Sequence, residues 1–383
     1  MTALTQGSFD PMKHAKLSAS GSARWLNCPG SVAAEDSFPN TSSSAAQEGT
    51  CAHEIADRCL RNQLSADSFL GQVIEGVKVD QEMVEHVQGY VDYVLSFDGE
   101  LLPEQQVDFS PWVPDGFGTS DSIVIGETTV RIIDLKYGKG VPVYAENNSQ
   151  GMLYALGVYN DFGYLLDGQD TFIVDIYQPR IGNFSQFEIS LMDLLKWGEW
   201  VKLQADLALS KDAERVPGDK QCLWCKAKGD CKALMNYTQK IIMADFDDLS
   251  ALDDPDSLSK EQKRLVIENR PLIESWLKSV EHSVTALLLD GGKFAGFKLV
   301  EGRSNRKWSN EEEAQKVLLS VKSDDEIFTK KLISAPQAEK LLGKKDKDLI
   351  SDLIIKPEGK PTLAPESDKR PAIGDVSGLF QEL

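Results

Sequence analysis

The stretch GTSDSIVIGETTVRIIDLKYGKG, residues 118–140, sets Asp121, Asp134 and Lys136 among isoleucines and valines. A carboxylate in such surroundings costs several kcal/mol unless a cation or a set of hydrogen bonds compensates it. Two strand-like runs meet at Gly126 and Glu127, which read as the centre of a type II′ hairpin turn with glycine first. Pairing across that turn sets Asp121 opposite Ile132, with Asp134 one step along the same face, and the alternation of side chains adds Lys136 to it. Diagonal neighbours on such a pair lie roughly 7–8 Å apart, near enough for two carboxylates to bend toward one ion. Slipping the turn by one residue on each strand keeps the three together, whereas a three-residue loop parts Asp121 from the others. Two hard oxygen ligands suit Mg²⁺ or Mn²⁺. An ammonium beside that ion stands where a phosphorane gathers charge or where an attacking water is held, so the chemistry is phosphodiester hydrolysis. The same residues also allow a plain structural role, with Asp121 capping a turn and Asp134 and Lys136 forming a half-buried ion pair.

A second group is QCLWCKAKGDCKAL, in which Cys222, Cys225 and Cys231 follow a C-x2-C-x5-C spacing. Three thiolates at such spacing serve zinc or an iron–sulfur cluster equally well, and both need a fourth ligand. Cys28, in WLNCPGS, is the natural candidate, because it would clasp the first segment of the chain to the end of the core. Cys51 and Cys59 follow a helical period with apolar neighbours and read as packed thiols. Seven Lys or Arg against four acids occupy residues 211–240, and Trp224 lies between two of the cysteines. That mixture suits single-stranded DNA through phosphate attraction and base stacking, although a tryptophan packed on the metal site accounts for it as well.

These groups need elements to hold them. Residues 1–43 read as irregular, and a helical period starts near Ser44 and runs through AAQEGTCAHEIADRCLRN. A second helix fits 79–97, with Val84, Val87, Val91 and Val94 on one stripe. Strands follow at EQQVDFS, SIVIG and TVRIIDLKYG, then a helix at NSQGMLYALGVYND, strands at TFIVDIYQPR and NFSQFEIS, and a long helix at LMDLLKWGEWVKLQADLAL. This order implies a mixed α/β fold with a helix crossing between strands. Six aspartates and no basic residue fall in 244–256, which reads as a linker or an acidic partner-binding peptide. Beyond it Ser259 and Gln262 form a capping box opening a helix expected to kink at Pro271, followed by a hairpin in KFAGFKLVEGRSNRKW, short helices and a flexible tail.

At 383 residues and 41% hydrophobic composition the chain can bury a large core and divide into domains. The expected boundaries are 1–243 for a core domain, 244–258 for the acidic linker and 259–383 for a mostly helical accessory region. A net charge of −19 argues against a broadly basic nucleic-acid coat but leaves room for a local basic groove. No run approaches the roughly 18 apolar residues of a membrane span, and the first residues lack a signal-like apolar core, so the expected place is the cytoplasm without membrane contact. No phosphate-binding G-x4-G-K-[ST] loop is present.

Asp121, then Asp134-Leu135-Lys136 thirteen residues on, resembles the signature of the PD-(D/E)XK nucleases. The RecB-like members add a Q-x3-Y motif on the helix after the hairpin, matched by Gln150 and Tyr154, and a histidine on an early helix, matched by His53. Those of the AddB type and the CRISPR-adaptation exonucleases carry one cysteine before the core and three after it, as Cys28, Cys222, Cys225 and Cys231 stand here. The resemblance covers about residues 18–238, and the chain as a whole is similar to a phage-associated branch. It implies a restriction-endonuclease-like core, Mg²⁺ or Mn²⁺ held by His53, Asp121, Asp134 and the backbone carbonyl of Leu135, and a structural [4Fe–4S] cluster, with Zn²⁺ as the alternative. The implied activity is a DNA nuclease, an exonuclease above all, in phage or bacterial recombination, repair or replication, acting on DNA with single-stranded ends and working in the host cytoplasm. A non-catalytic DNA-binding mediator on the same fold and a zinc-stabilised structural protein are the competing classes. Glu48 and Glu104 are additional candidate acids, the first off the helical face of His53 and the second from the preceding strand. The acidic segment or the C-terminal DVSGLFQEL could dock a protein partner, and a homo-oligomer is compatible with all of this.

Overall fold

Segments rich in Ile, Val and Phe build the middle of the computed structural model, which describes residues 15–39, 44–166, 168–243 and 260–298. In chain order the elements are α1 (Ser22–Trp25), α2 (Ser31–Glu35), α3 (Ser44–Asn62), β1 (Val73–Ile74), β2 (Val77–Lys78), α4 (Gln81–Leu95), β3 (Glu100–Asp108), β4 (Phe117–Ile125) and β5 (Thr129–Leu135). They continue with α5 (Ser149–Phe162), β6 (Thr171–Gln178), β7 (Asn183–Ser190), α6 (Leu191–Leu209), α7 (Asp219–Leu223), α8 (Lys232–Met243) and α9 (Lys260–Leu289). β1 and β2 form a small hairpin, and the other five strands make one mixed sheet in the order β3-β4-β5-β6-β7. Only β5 and β6 run parallel, and that pairing requires the crossover helix α5. The fold is mixed α/β, with helices on both faces of the sheet.

Each face closes its own core. On one side Ile123, Val130 and Ile132 meet Leu153 and Leu156 of α5 and Leu194 and Val201 of α6. On the other, Val124, Ile133 and Leu135 meet Ile55 and Cys59 of α3 and Val84, Val87 and Val91 of α4. Cys51 and Cys59 are fully buried there, as packed thiols. The helices start where a side chain satisfies a free amide: Asp80 caps α4, Asn148 caps α5 and Ser190 caps α6. Glycine brings α5 close to the sheet. A Cβ on Gly151 would stand 2.3 Å from Val174 Cγ1, and one on Gly157 would stand 2.8 Å from Val107 Cγ2.

Several expectations are corrected. Within the expected irregular segment, the described residues 15–39 include two short helices, α1 and α2, at 22–25 and 31–35. The hairpin turn is Glu127–Thr128 rather than Gly126–Glu127: Ile125 pairs with Val130 and the Gly126 amide donates to the Thr129 carbonyl. No positive φ occurs at 126–128, so the turn is not type II′. The chain divides into two compact units, Met1–Val300 and Glu301–Leu383. The helix expected to open a separate region at 259 therefore belongs with the first unit: Leu272 of α9 packs with Cys222 and Leu234. That helix includes Pro271. A single bridge joins Phe294 to Phe297 at the start of the expected hairpin. The rest of that hairpin, the capping residue Ser259, the acidic linker and the tail lie outside the described residues. No helix among the described residues is long and apolar enough to cross a membrane.

Two glycine substitutions with opposite outcomes test this packing. Gly151→Ala gains helix propensity but drives a methyl group into Val174, a β-branched residue fixed in a central strand. It should lose about 1–3 kcal/mol. Gly49→Ala, in α3, meets no atom within 4 Å and should gain roughly 0.5–1 kcal/mol. Thermal unfolding followed by circular dichroism reads both signs, and a stabilised Gly151→Ala would contradict the close approach of α5.

Candidate metal centre and cysteine lobe

Glu104, Asp121 and Asp134 fall on one rung across three neighbouring strands, and both ladders open at that rung. Pro103 pairs with Ser122 and Gln105 with Ser120, while Glu104 between them adopts φ +43°. A glutamate in the left-handed region costs on the order of 1–3 kcal/mol and persists only where its surroundings enforce it. The β4–β5 ladder ends at Ser122–Ile133, one step before Asp121 would meet Asp134. There the Leu135 amide donates instead to Asp121 Oδ2, at 2.7 Å. Side-chain alternation slips as well, because Leu102 and Val107, an odd number of residues apart, both pack on the α5 side.

α3 supplies the groups that hold this opening. His53, Asp57 and Arg61 recur every four residues and so share one helical face. Arg61 donates to the carbonyls of Pro103 (2.6 Å) and Glu104 (3.4 Å), which fixes the strained backbone. His53 Nδ1 lies 3.1 Å from Asp121 Oδ1. Ligand atoms of His53, Glu104 and Asp121 come within 4.8 Å of one another, and this is the one such group among the described residues.

The charges explain the protonation pattern. Burial works to lower the His53 pKa, but the carboxylate of Asp121, with Asp134 and Glu104 behind it, outweighs burial and raises it to about 9. Glu104 is pushed up to about 7 by burial and by repulsion from Asp121. Burial also works to raise Asp121, yet His53 and Lys136 hold it below the usual carboxylate range, while burial and the charge of Asp121 leave Asp134 above it. Imidazolium and ammonium thus neutralise a crowded set of acids, a role that a divalent cation would take over by displacing the proton of His53.

On the other side of the rung Lys136 Nζ lies 2.9 Å from Asp134 Oδ2 and donates to Gln150 Oε1 at 3.0 Å. Gln150 Nε2 donates to Asp134 Oδ1 (3.1 Å) and to the Tyr154 hydroxyl (3.3 Å). Burial opposes the charge of Lys136, but Asp134 and Asp121 overcome it and keep the ammonium protonated. The Tyr154 ring fits over Gly118, where a Cβ would approach to 2.8 Å.

Cys28, Cys222, Cys225 and Cys231 line a single cavity with Arg215 and Lys228. Amides of Val216 and Gly218 donate to the sulfurs of Cys28 (3.2 Å) and Cys222 (3.4 Å). Burial raises the thiols of Cys28 and Cys222 and lifts Cys225 to about 12, so only a bound cation would ionise them near neutral pH. Four thiolates on one zinc, at about 2.3 Å each, would stand about 3.8 Å apart. No three of these sulfurs come within 4.8 Å of one another. The lobe is clasped to the N-terminal helices: Glu35 accepts from the Lys226 amide (2.7 Å) and pairs with Arg24 (2.9 Å). It also reaches the other centre, since Ser22 in α1 bonds Ser149, next to Gln150, at 2.7 Å.

The geometry thus gathers Asp121, Asp134, Lys136, Gln150, Tyr154 and His53, and it promotes Glu104 from an additional acid to a member of the tight group. Asp134, expected as a ligand, is turned toward Lys136 and Gln150 rather than toward His53. Glu48 is not part of the group, because it pairs with Arg180 at 2.5 Å. Leu135 enters through its amide. Trp224 is not packed away on the cysteines, since the residue is 69% exposed. Asp57 and Arg61 were missed, although their spacing after His53 was visible.

Glu104→Gly should separate folding from ligation. With a folded pKa near 7 against 4.5 for the free side chain, Glu104 lets the fold bind the extra proton, so stability is lost as pH rises between these values. Removing the carboxylate and the positive-φ strain should stabilise the metal-free protein at pH 8 by about 1 kcal/mol or more. Mn²⁺ binding should weaken roughly tenfold or more. Urea unfolding in chelator and calorimetric Mn²⁺ titration measure the two effects.

A solved structure described as that of SSO0001 is 13% identical, with 52% of this chain and 92% of that one covered at a TM-score of 0.24. A superposition that loose carries no argument about fold or function. The family model for a protein of unknown function, DUF2800, matches residues 14–371, and the chain belongs to that family.

Proposed function

We propose that this protein is a metal-dependent DNA nuclease of the PD-(D/E)XK class, with an iron–sulfur cluster as a structural clasp. The observation that carries the reading is the rung of Glu104, Asp121 and Asp134, with His53 on one side and Lys136 on the other. A structural sheet has no need to open two ladders and strain a glutamate in order to bury three acids there. The residues suit Mg²⁺ or Mn²⁺, with His53, Asp121 and Glu104 as ligands and Asp134 completing the acidic wall. Such an ion supplies Lewis acidity toward a phosphoryl oxygen and a more acidic bound water. Lys136, kept protonated, offers charge to the phosphate in the transition state and does not act as a base. Gln150 holds Lys136 and Asp134 in register, and Tyr154 holds Gln150. DNA is the proposed substrate through the family resemblance, with phage or bacterial recombination, repair or replication as the setting.

The four cysteines line one cavity, and two of their sulfurs accept backbone N–H bonds of the kind that tune cluster sulfurs, which supports a [4Fe–4S] cluster with zinc as the alternative. The cluster's proposed role is to hold α1 and the cysteine lobe together. Protein purified without oxygen should be brown, with broad absorbance near about 400 nm. Cys28→Ser should lose that colour and unfold at a lower temperature, whereas a colourless protein with one zinc per chain would remove the assignment.

The decisive assay is Mg²⁺- or Mn²⁺-dependent degradation of end-labelled single- and double-stranded DNA. Asp121→Ala, Asp134→Ala and Lys136→Ala should each lower the rate by about 10²–10³ or more. Gln150→Ala, which only positions its neighbours, should cost roughly 10- to 100-fold. Wild-type protein that cleaves nothing with either metal, or equal cleavage by Lys136→Ala, would leave a binding role as the better account.

A further inference from the structure

Lys136 and Gln150, which meet across the candidate centre, are joined by a connection at 137–148 that forms neither helix nor strand. Such a segment leaves its ends loosely placed unless its backbone groups find partners. Two glycines add to its pliancy: Gly138 and Gly140 meet no atom within 4 Å, so close packing demands neither of them. The partners come from the end of the β6–β7 pair. Gln178, the last residue of β6, continues the row of Phe172 and Val174 that faces α5, and it is 1% exposed. Its Nε2 donates to the carbonyls of Gly138 and Val141, both at 3.0 Å. Its Oε1 accepts from the Val143 amide (3.0 Å) and from Asn183 Nδ2 (2.9 Å). Asn183, opposite Gln178 on β7, also donates to the Val143 carbonyl (2.7 Å), and Ser185 Oγ accepts from the Ala145 amide (3.0 Å). A side-chain amide has two N–H donors and an oxygen with two lone pairs, and all of them are engaged at Gln178. Reversing the amide would set its oxygen against two carbonyls, so the network admits one orientation.

We propose that Gln178 is a positioning residue for the centre: by fixing the backbone between Lys136 and Gln150, it sets how the ammonium and the carboxamide meet each other and Asp134. This role rests on the nuclease reading. The connection and the bond from Lys136 to Gln150 close a ring. Lys136 is anchored in that ring where its amide donates to the Tyr177 carbonyl at 2.9 Å, one residue before Gln178. Asn148, which caps α5, anchors the other end. Gln178 holds the stretch between the two anchors. His53, Glu104 and Asp121 belong to α3, β3 and β4 and lie outside the ring. Gln178 therefore governs the half of the centre that faces the phosphate and leaves the half that faces the metal alone.

Two variants of the full chain test this. Gln178→Met keeps the length of the side chain and removes all its hydrogen bonds. Asn183→Ala, at a half-buried position, removes the bonds to Val143 and Gln178 and is read in place of the first variant if that one does not fold. In hydrogen exchange followed by mass spectrometry, the amides of 138–150 should exchange at least about tenfold faster in Gln178→Met, with β4 and β5 as in wild type. Asn183→Ala should act in the same direction and less. On end-labelled DNA with Mn²⁺, kcat should fall about tenfold or more at little-changed KM. The Mn²⁺ dissociation constant from calorimetry should stay within about twofold of wild type. A residue that only stabilised the fold would lower the melting temperature and leave the kcat of folded enzyme as it was. Unchanged exchange at 138–150, or unchanged kcat beside an active wild type, would overturn the proposal. Wild-type protein that cuts no DNA removes the nuclease reading instead, and the exchange result then decides by itself whether Gln178 holds the connection.

Discussion

Repulsion among three carboxylates on one rung of the sheet is the constraint around which the rest of this structure is arranged. Glu104, Asp121 and Asp134 stand on adjacent strands, where ordinary pairing would bring like charges directly opposite one another. The ladders yield at that level, Glu104 takes a left-handed backbone, and the Leu135 amide turns from a strand partner to the Asp121 carboxylate. Cations then surround the gap: His53 and Arg61 from α3 and Lys136 from the end of β5. A broken rung this crowded with acids draws positive groups to it, and the proposed metal chemistry rests on that electrostatic demand more than on any single ligand.

The two helical layers are fitted to this gap. α3 buries Cys51, Ile55 and Cys59 in one core while its other face carries His53, Asp57 and Arg61 to the sheet. α5 approaches the opposite face closely because glycines at 151 and 157 leave no Cβ to hold it off, and that closeness lets Gln150 reach both Asp134 and Lys136. The cysteine lobe adds a third attachment. Cys28 and Ser22 belong to the same short N-terminal segment, one lining the thiol cavity and the other bonding the start of α5. Loss of a bound cluster would thus loosen the helix that aligns Gln150, which is a mechanical route from the clasp to the proposed active centre. α9 lies against that lobe, with Lys228 donating to Ser275 and Ser283 to Asp230, so the segment after the acidic stretch also supports it.

Much of this was legible in the chain. The helices at 191–209 and 149–162 and the strand at 183–190 end where their caps and periodicity say they should, because Ser190, Asn148 and the apolar spacing are local signals. The ordered set of Asp121, Asp134, Lys136, Gln150 and Tyr154 was also readable, since sequence neighbours on one hairpin and one helix face must lie near one another in any fold that keeps them. The turn was misplaced by one residue because glycine's preference for a positive-φ site is a tendency, and here the chain turns at Glu127–Thr128 without one. Alternation by two gave the right companions for Asp121, because moving the turn by one residue on each strand leaves Asp121 and Asp134 on the same face; the pattern slips only in β3, around Glu104.

Sequence by itself determined the element types, the mixed α/β class and the residues able to bear charge in an apolar setting, because capping, periodicity and desolvation cost act within a few residues of the chain. Tertiary structure alone decided that Glu104 stands against Asp121, that Asp134 turns to Lys136 rather than to His53, that Glu48 is spent on Arg180, and that Cys28 joins the three later cysteines around one cavity. Those outcomes depend on which strands become neighbours and on the balance of repulsion among groups tens of residues apart. No local pattern encodes that balance; it is fixed when the sheet closes and the carboxylates must share one small, poorly solvated space.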